Sequence, residues 1–201
     1  MNTRIPLVIA TRNAHKAVEI ARILPSCYEV HTLAEYPEAP EAAETGCTFA
    51  ENARQKAECI STYLPQALVV ADDSGLCVDA LNGQPGVISA RYAGEHGDDM
   101  ANNRKLLREL AGMPGAAPFT ARFVCAISLA QGGRELAAFE GRVEGQITLC
   151  PRGTNGFGYD PLFLPDGYDC TTAEMPAAEK DAISHRARAL AGLATYLQER
   201  A

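Results

Sequence analysis

Asp72 and Asp73 are adjacent carboxylates that follow a four-residue apolar run, Leu68, Val69, Val70 and Ala71, and precede Ser74 and Gly75. A short continuous apolar run is the pattern of a strand covered on both faces, although periodicity alone does not exclude a short core helix. Two neighbouring carboxylates repel unless a cation lies between them or one holds a proton, and Mg²⁺ would resolve that conflict. Asp, Ser and Gly are also turn residues, and on this stretch alone a turn is the better account. The strand is therefore expected to stop at the acids, with Leu76 to Ala80 resuming as a strand beyond an acid turn.

Four other groups of residues could act on the same ligand. The polar break Thr11-Arg12-Asn13-Ala14-His15-Lys16 lies between a strand-like run and a helix, which places helix amides and Lys16 where a phosphate could sit. An ordinary connection with a surface lysine has the same spacing, and no GxxxxGK[ST] pattern occurs in the chain. Asn52 and Lys56 lie four apart, on one side of a helix whose start is marked by Thr48 and Glu51 as a capping box. The glycine-rich run from Gly153 to Pro161 carries Phe157, Tyr159 and Asp160. No helix opens after it, so it is no dinucleotide fingerprint, but its glycines allow close approach to a flat ligand under an aromatic ring. Lys180, His185 and Arg186 fall at the expected first turn of an amphipathic helix from Asp181 to Arg200. Cations there oppose the helix dipole unless a polar ligand or anion is bound, which favours a site.

The elements that must position these groups follow from periodicity. Pro6 to Ala10 reads as a strand, Ala17, Ile20, Ala21 and Leu24 as one helix face ended by Pro25, and Tyr28 to Thr32 as a second strand. With the helix after Thr48 and the Asp72-Asp73 strand, the first third reads βαβαβ, an α/β pattern with ligand chemistry at strand carboxyl ends. Asp98 to Leu110 predicts a further helix, ending near Gly112 and Pro114. Phe119 to Leu129 alternates as a long strand, turning at Gln131-Gly132-Gly133 into Glu135 to Glu140, with Arg142 to Leu149 as another strand and Leu162 to Leu164 strand-like. The expected architecture is one two-lobed domain over residues 1–201, a long curved mixed sheet flanked by helices.

Composition narrows the function. The 201 residues are 47% hydrophobic, enough for a sizeable core, and the net charge of −7 argues against a protein that tracks nucleic-acid backbones. Seven cysteines without CxxC spacing indicate reduced thiols in a cytoplasmic protein, and the apolar run from Ile5 to Ala10 is too short for a signal core or membrane span.

The collinear set TRNAHK (11–16), ETGCTFAENARQKA (44–57), ADDSGL (71–76), PGVISARYAG (85–94), GFGYDPLF (156–163) and EKDAISHRARAL (179–190) resembles the Ham1/RdgB family. These are dITP/XTP (inosine triphosphate) pyrophosphatases, which act on non-canonical purine nucleoside triphosphates. The resemblance spans nearly the whole chain. It implies a two-lobed ITPase/Maf-like fold, a Mg²⁺-dependent homodimer and cleavage of a nucleoside triphosphate to the monophosphate and pyrophosphate.

Carried over by that resemblance, Thr11, Arg12, Asn13, Ala14, His15 and Lys16 form the triphosphate loop and Lys56 adds a phosphate contact. Asp73 is catalytic base and Mg²⁺ ligand, with Ser74 beside the substrate. Phe157, Gly158, Tyr159 and Asp160 hold the base, and Lys180, His185 and Arg186 read its 6-oxo edge. Many relatives carry two glutamates before the Thr-Gly pair, where this chain has Ala43-Glu44. Glu44 is the candidate second metal ligand, the alternative being Asp72, Asp73 and phosphate oxygens.

The residues support this chemistry apart from the family. Hydrolysis of a phosphoanhydride needs a carboxylate near the metal and cations along the phosphates. A donor-only side chain such as Arg186 accepts a 6-oxo purine and leaves two donors opposed at adenine. A Maf-like nucleotide pyrophosphatase with another base preference and a non-catalytic nucleotide sensor are the competing readings. A HAD-type phosphatase is disfavoured, because its nucleophile motif is D-x-D.

Overall fold

The computed structural model describes residues 6–24, 28–113 and 118–200. Six strands, β1 (Pro6–Ile9), β2 (Glu29–Thr32), β3 (Leu68–Val78), β4 (Phe119–Gln131), β5 (Arg134–Ile147) and β6 (Phe163–Pro165), form one sheet in the order β2-β1-β3-β4-β5-β6. The pairs β1/β2 and β1/β3 are parallel and β5/β6 is antiparallel, so the sheet is mixed. Among the described residues five α-helices accompany it: α1 (Ala14–Ile23), α2 (Phe49–Tyr63), α3 (Asp99–Ala111), α4 (Ala177–Ile183) and α5 (His185–Gln198). Among the described residues no helix is long and apolar enough to cross a membrane.

The chain divides into two compact units. The first holds residues 1–73, 125–141 and 186–201. β1 and β3 are buried on both faces, which explains their unbroken apolar runs. Leu7, Ile9 and Val70 pack with Ile20 of α1 and Leu190, Leu193 and Leu197 of α5. The alternate residues Val8, Val69 and Ala71 pack with Ala57 and Ile60 of α2. The second unit holds residues 74–124 and 142–185, with a core of Leu76, Val78, Leu106, Leu110, Phe123, Tyr159 and Phe163.

Three expectations are corrected. β3 does not stop at Asp72 and Asp73 but runs on to Val78. Both acids are buried beside cations, so ion pairing outweighs the turn preference of Asp-Ser-Gly. Arg134 to Ile147 is one strand rather than two, and Gly141 does not interrupt it. The amphipathic segment near the C-terminus is two helices, because Ser184 is extended (φ −64°, ψ 154°) and separates α4 from α5. Lys180 thus lies on α4, and His185 and Arg186 open α5.

Local signals elsewhere act as expected. Thr48 Oγ1 accepts from Glu51 N at 3.2 Å and Glu51 Oε2 accepts from Thr48 N at 3.1 Å, closing the capping box of α2. Asp98 caps α3 by accepting from Ala101 N at 2.9 Å. Gly132 and Gly133 both have positive φ (58° and 80°) in the two-residue turn between β4 and β5. Pro25 and Pro114, the expected helix stops, lie outside the described residues.

Candidate active site

In the first unit the site begins at α1. Asn13 caps the helix, its Oδ1 accepting from Lys16 N at 3.2 Å and its carbonyl from Ala17 N at 3.0 Å. Asn13 N donates to Thr11 Oγ1 at 3.1 Å, which tightens the loop, and Arg12 Nη2 donates to Ala39 O at 2.9 Å. Ala14 and His15 form the first turn of α1. Lys16 Nζ lies 3.1 Å from Asp72 Oδ2.

Strand alternation sends the two acids to different partners. Asp72 shares the face of Val70, where Lys16 of α1 and Arg186 of α5 meet it; Arg186 Nη2 donates to Asp72 Oδ2 at 3.2 Å. The second guanidinium nitrogen, Nη1, pairs with Glu19 of α1. Arg186 is 1% exposed. Burial alone would raise the Asp72 carboxyl, but Lys16, Arg186 and Lys56 outweigh it and hold the group well below the usual carboxylate range. The same acids keep the Arg186 guanidinium charged in spite of its burial.

Asp73 shares the face of Ala71 and meets α2. Lys56 Nζ donates to its Oδ1 at 3.0 Å and Asn52 Nδ2 to its Oδ2 at 3.2 Å. Asn52 is fully buried, and its Oδ1 accepts from Gly46 N at 2.8 Å. A Cβ at Gly46 would stand 2.7 Å from that oxygen, so the glycine permits the approach. Burial pushes Asp73 upward, and Lys56 and Lys16 only partly offset it. Lys56 is itself raised, because Asp73, Asp72 and Glu44 outweigh its burial. Two consecutive carboxyls are thus shifted in opposite directions, Asp72 downward and Asp73 upward.

Glu44 Oε1 is 3.3 Å from Lys56 Nζ, so Glu44 and Asp73 share one ammonium. Among the described residues no group of three or more His, Cys, Asp or Glu is gathered. An all-protein cage of that kind is not what Mg²⁺ requires. It binds through one or two carboxylates, water and substrate phosphates, all oxygen ligands. Asp73 and Glu44 fit that use.

In the second unit the residues from Gly156 to Asp160 wind around the Asp160 carboxylate. Asp160 Oδ2 accepts from Phe157 N at 2.8 Å and from Lys180 Nζ at 2.6 Å, and Oδ1 accepts from Thr172 Oγ1 at 2.9 Å. Lys180 Nζ also lies 4.9 Å from the Phe157 ring centroid. His185 stacks on Phe123, centroids 4.9 Å apart and planes 12° apart. A small cavity is lined by Phe123, Val143, Asp160, Lys180 and His185, among others. Tyr159 Oη donates to Ser89 O at 2.9 Å, while Ser89 Oγ accepts from Leu76 N at 3.0 Å, two residues after the half-buried Ser74.

Of the residues singled out in the sequence, Lys16, Lys56, Glu44, Asp73 and Arg186 collect around the acids of the first unit. Phe157, Asp160 and Lys180 collect in the second, with His185 on Phe123. Arg186, expected at a base, pairs with Asp72 and Glu19. Glu19, Phe123 and Thr172 were not foreseen. Glu19 had a visible signal, lying three residues after Lys16 on α1.

The fold and its two polar clusters define an α/β protein with ion-paired carboxylates in one unit and an aromatic, glycine-rich loop wound around a carboxylate in the other. Residues 7–196 match the model of the Ham1 family, and the chain belongs to that family. It is 52% identical to a dITP/XTP pyrophosphatase of Shouchella clausii over 93% of each chain. A Ham1 protein of Staphylococcus aureus has a similar structure (TM-score 0.86, 41% identity, 98% of this chain and 100% of that one). So does a nucleoside-triphosphatase / dITP/XTP pyrophosphatase of Mycobacterium abscessus (TM-score 0.74, 46% identity, 94% and 98%).

Proposed function

We propose that the protein hydrolyses non-canonical purine nucleoside triphosphates, ITP, dITP and XTP, to the monophosphate and pyrophosphate. The observation that carries this reading is the geometry of the two adjacent buried carboxylates, Asp72 paired with Lys16 at 3.1 Å and Asp73 with Lys56 at 3.0 Å. The names of the relatives agree with it.

Water attacks the α-phosphorus, its proton passes to Asp73, and the α–β bridging bond breaks with its electron pair leaving on pyrophosphate. Asp73 suits this because it is buried, raised and aimed by Asn52 and Lys56. Lys16 and Lys56 rest on carboxylates until substrate oxygens share them, so neither cation waits uncompensated in a buried place. Thr11 to Asn13 and the first turn of α1 take the phosphate tail. Asp73 and Glu44 would hold Mg²⁺, which when bound neutralises phosphate charge and polarises the attacked phosphorus.

Base recognition belongs to Phe157 to Asp160, Lys180 and His185, with Ser74 beside the substrate. Lys180 is a donor held by Asp160 over Phe157, and donors suit a 6-oxo purine and leave adenine's amino group opposed. The family resemblance adds a cytoplasmic homodimer, and the six described cysteines are all free thiols.

A panel of triphosphates with Mg²⁺, resolving pyrophosphate from orthophosphate, tests the reading. Pyrophosphate release from ITP and XTP well above ATP is expected. Orthophosphate release, preference for modified pyrimidines, or tight ITP binding without turnover would each overturn it.

A further inference from the structure

The loop that carries Phe157 is held from outside by α3. Gly158 N donates to Asp99 Oδ2 at 2.6 Å and Gly158 O accepts from Asn103 Nδ2 at 2.9 Å. Asp99 and Asn103 are four apart and therefore neighbours on one face of α3. Gly158 has φ +64°, a conformation outside helix and strand, so its peptide groups must find partners in side chains. The preceding amide, Phe157 N, is already taken by Asp160. Both amides flanking the Phe157 side chain are thereby fixed, one from within the loop and one from α3.

Asn103 carries a second sign of its task. Its Oδ1 is buried and accepts no hydrogen bond among the described residues. An unsatisfied buried carbonyl oxygen is unfavourable, and an apolar residue at this position would avoid it. The carboxamide is used here for its donor alone. The adjacent Asn102 has a separate duty, accepting from Ala93 N at 2.7 Å and donating to Ala90 O at 3.3 Å.

We infer that Asp99 and Asn103 are positioning residues for base selection, clamping the Gly158 peptide so that Phe157 is presented in one orientation. This rests on the reading of residues 157–160 as the base-holding loop. A clamp that fixes an aromatic platform acts on how well the correct base is held and leaves the acids of β3 untouched.

Three variants separate positioning from support of the fold. Asn103→Leu removes both the donor and the unsatisfied oxygen. Removal of the unsatisfied oxygen and loss of the partner of Gly158 O oppose each other, so its Tm should change little, while KM for ITP increases about tenfold and the ITP-over-ATP ratio of kcat/KM falls by a similar factor. Asp99→Asn and Asp99→Ala both remove a charge from the first turn of α3, but only the alanine loses the acceptor. The asparagine should keep the wild-type ratio and the alanine should not. Hydrogen exchange at the Gly158 amide, followed without substrate, should speed up in Asp99→Ala and stay slow in Asp99→Asn. A wild-type enzyme with no preference for ITP overturns the reading of the loop itself, before any variant is made. A wild-type preference that passes unchanged through Asn103→Leu and Asp99→Ala overturns the clamp alone.

Discussion

Asp72 and Asp73 are joined by one peptide bond yet face opposite sides of β3, Asp72 toward Lys16 and Arg186 and Asp73 toward Asn52 and Lys56. The repulsion that adjacent carboxylates suggest is relieved by strand alternation, with each acid given its own cation. The two therefore fail differently when neutralised. Asp73→Asn should bind ITP and lose roughly 10²- to 10⁴-fold in kcat, the range for a lost general base. Asp72→Asn should instead destabilise by about 3 kcal/mol, because it removes a charged partner from the buried Arg186 guanidinium. Single-turnover kinetics and denaturant unfolding on both variants check the split; equal loss of turnover at unchanged stability would contradict it.

Chelation should abolish hydrolysis without unfolding the chain. The apolar clusters that form both cores contain no metal-dependent contact, and the two carboxylates assigned to Mg²⁺ are already bridged by the ammonium of Lys56. Far-UV circular dichroism should be the same with and without chelator, and activity should return on adding Mg²⁺.

Cys125 gives a pH dependence of stability. Burial, reinforced by nearby Asp72 and only partly offset by Arg186 and Lys16, pushes its thiol from the ordinary 9.0 up to about 12. The folded protein keeps a proton there that the unfolded chain gives up. The resulting stability is complete below pH 9 and is lost as pH rises toward 12. The same shift should leave Cys125 unlabelled by iodoacetamide at about pH 8, where exposed Cys47 and Cys150 react; mass spectrometry of the peptides measures it.

Two glycines of one loop should respond unequally to alanine. Gly158 has positive φ but open space where a methyl group would stand, so Gly158→Ala should cost about 1–2 kcal/mol of backbone strain and no more. At Gly156 a Cβ would stand 2.0 Å from Asp160 Oδ2, at φ +76°. Gly156→Ala must therefore displace the carboxylate that holds Phe157 N and Lys180, and ITP binding should fall far more than in Gly158→Ala. Calorimetric titration of both variants with a non-hydrolysable ITP analogue decides this.

Most of the fold was legible because its signals were local. The capping box at Thr48, the Asp98 cap and the Gly132-Gly133 turn each fix an element within a few residues. What could not be read was non-local. Nothing near Asp72 and Asp73 says that lysines from distant helices will keep the strand going, and nothing near Ser184 marks a break between α4 and α5. The candidate site shows the same division. Lys16, Lys56 and Asp160 stood in recognisable runs, whereas Asp99 and Asn103 act only through residues brought to them by the fold.

Arg186 brings the two kinds of information into conflict, and a single pair of measurements settles it. The family resemblance gives it the purine's 6-oxo edge; its contacts give it Asp72 and Glu19 in a setting 1% exposed. If those contacts define its task, Arg186→Ala removes one of the cations that hold the buried Asp72. Stability should then fall by about 3 kcal/mol, as when one partner is removed from a buried ion pair. The kcat/KM for ITP and for ATP should fall by the same factor, since both substrates would meet the same acids and lysines at their phosphates. Arg186→Lys should not restore either, because one ammonium cannot reach Asp72 and Glu19 in the planar, two-nitrogen geometry of the guanidinium. A loss of roughly 2–4 kcal/mol in transition-state binding for ITP with ATP nearly unchanged would return Arg186 to the base.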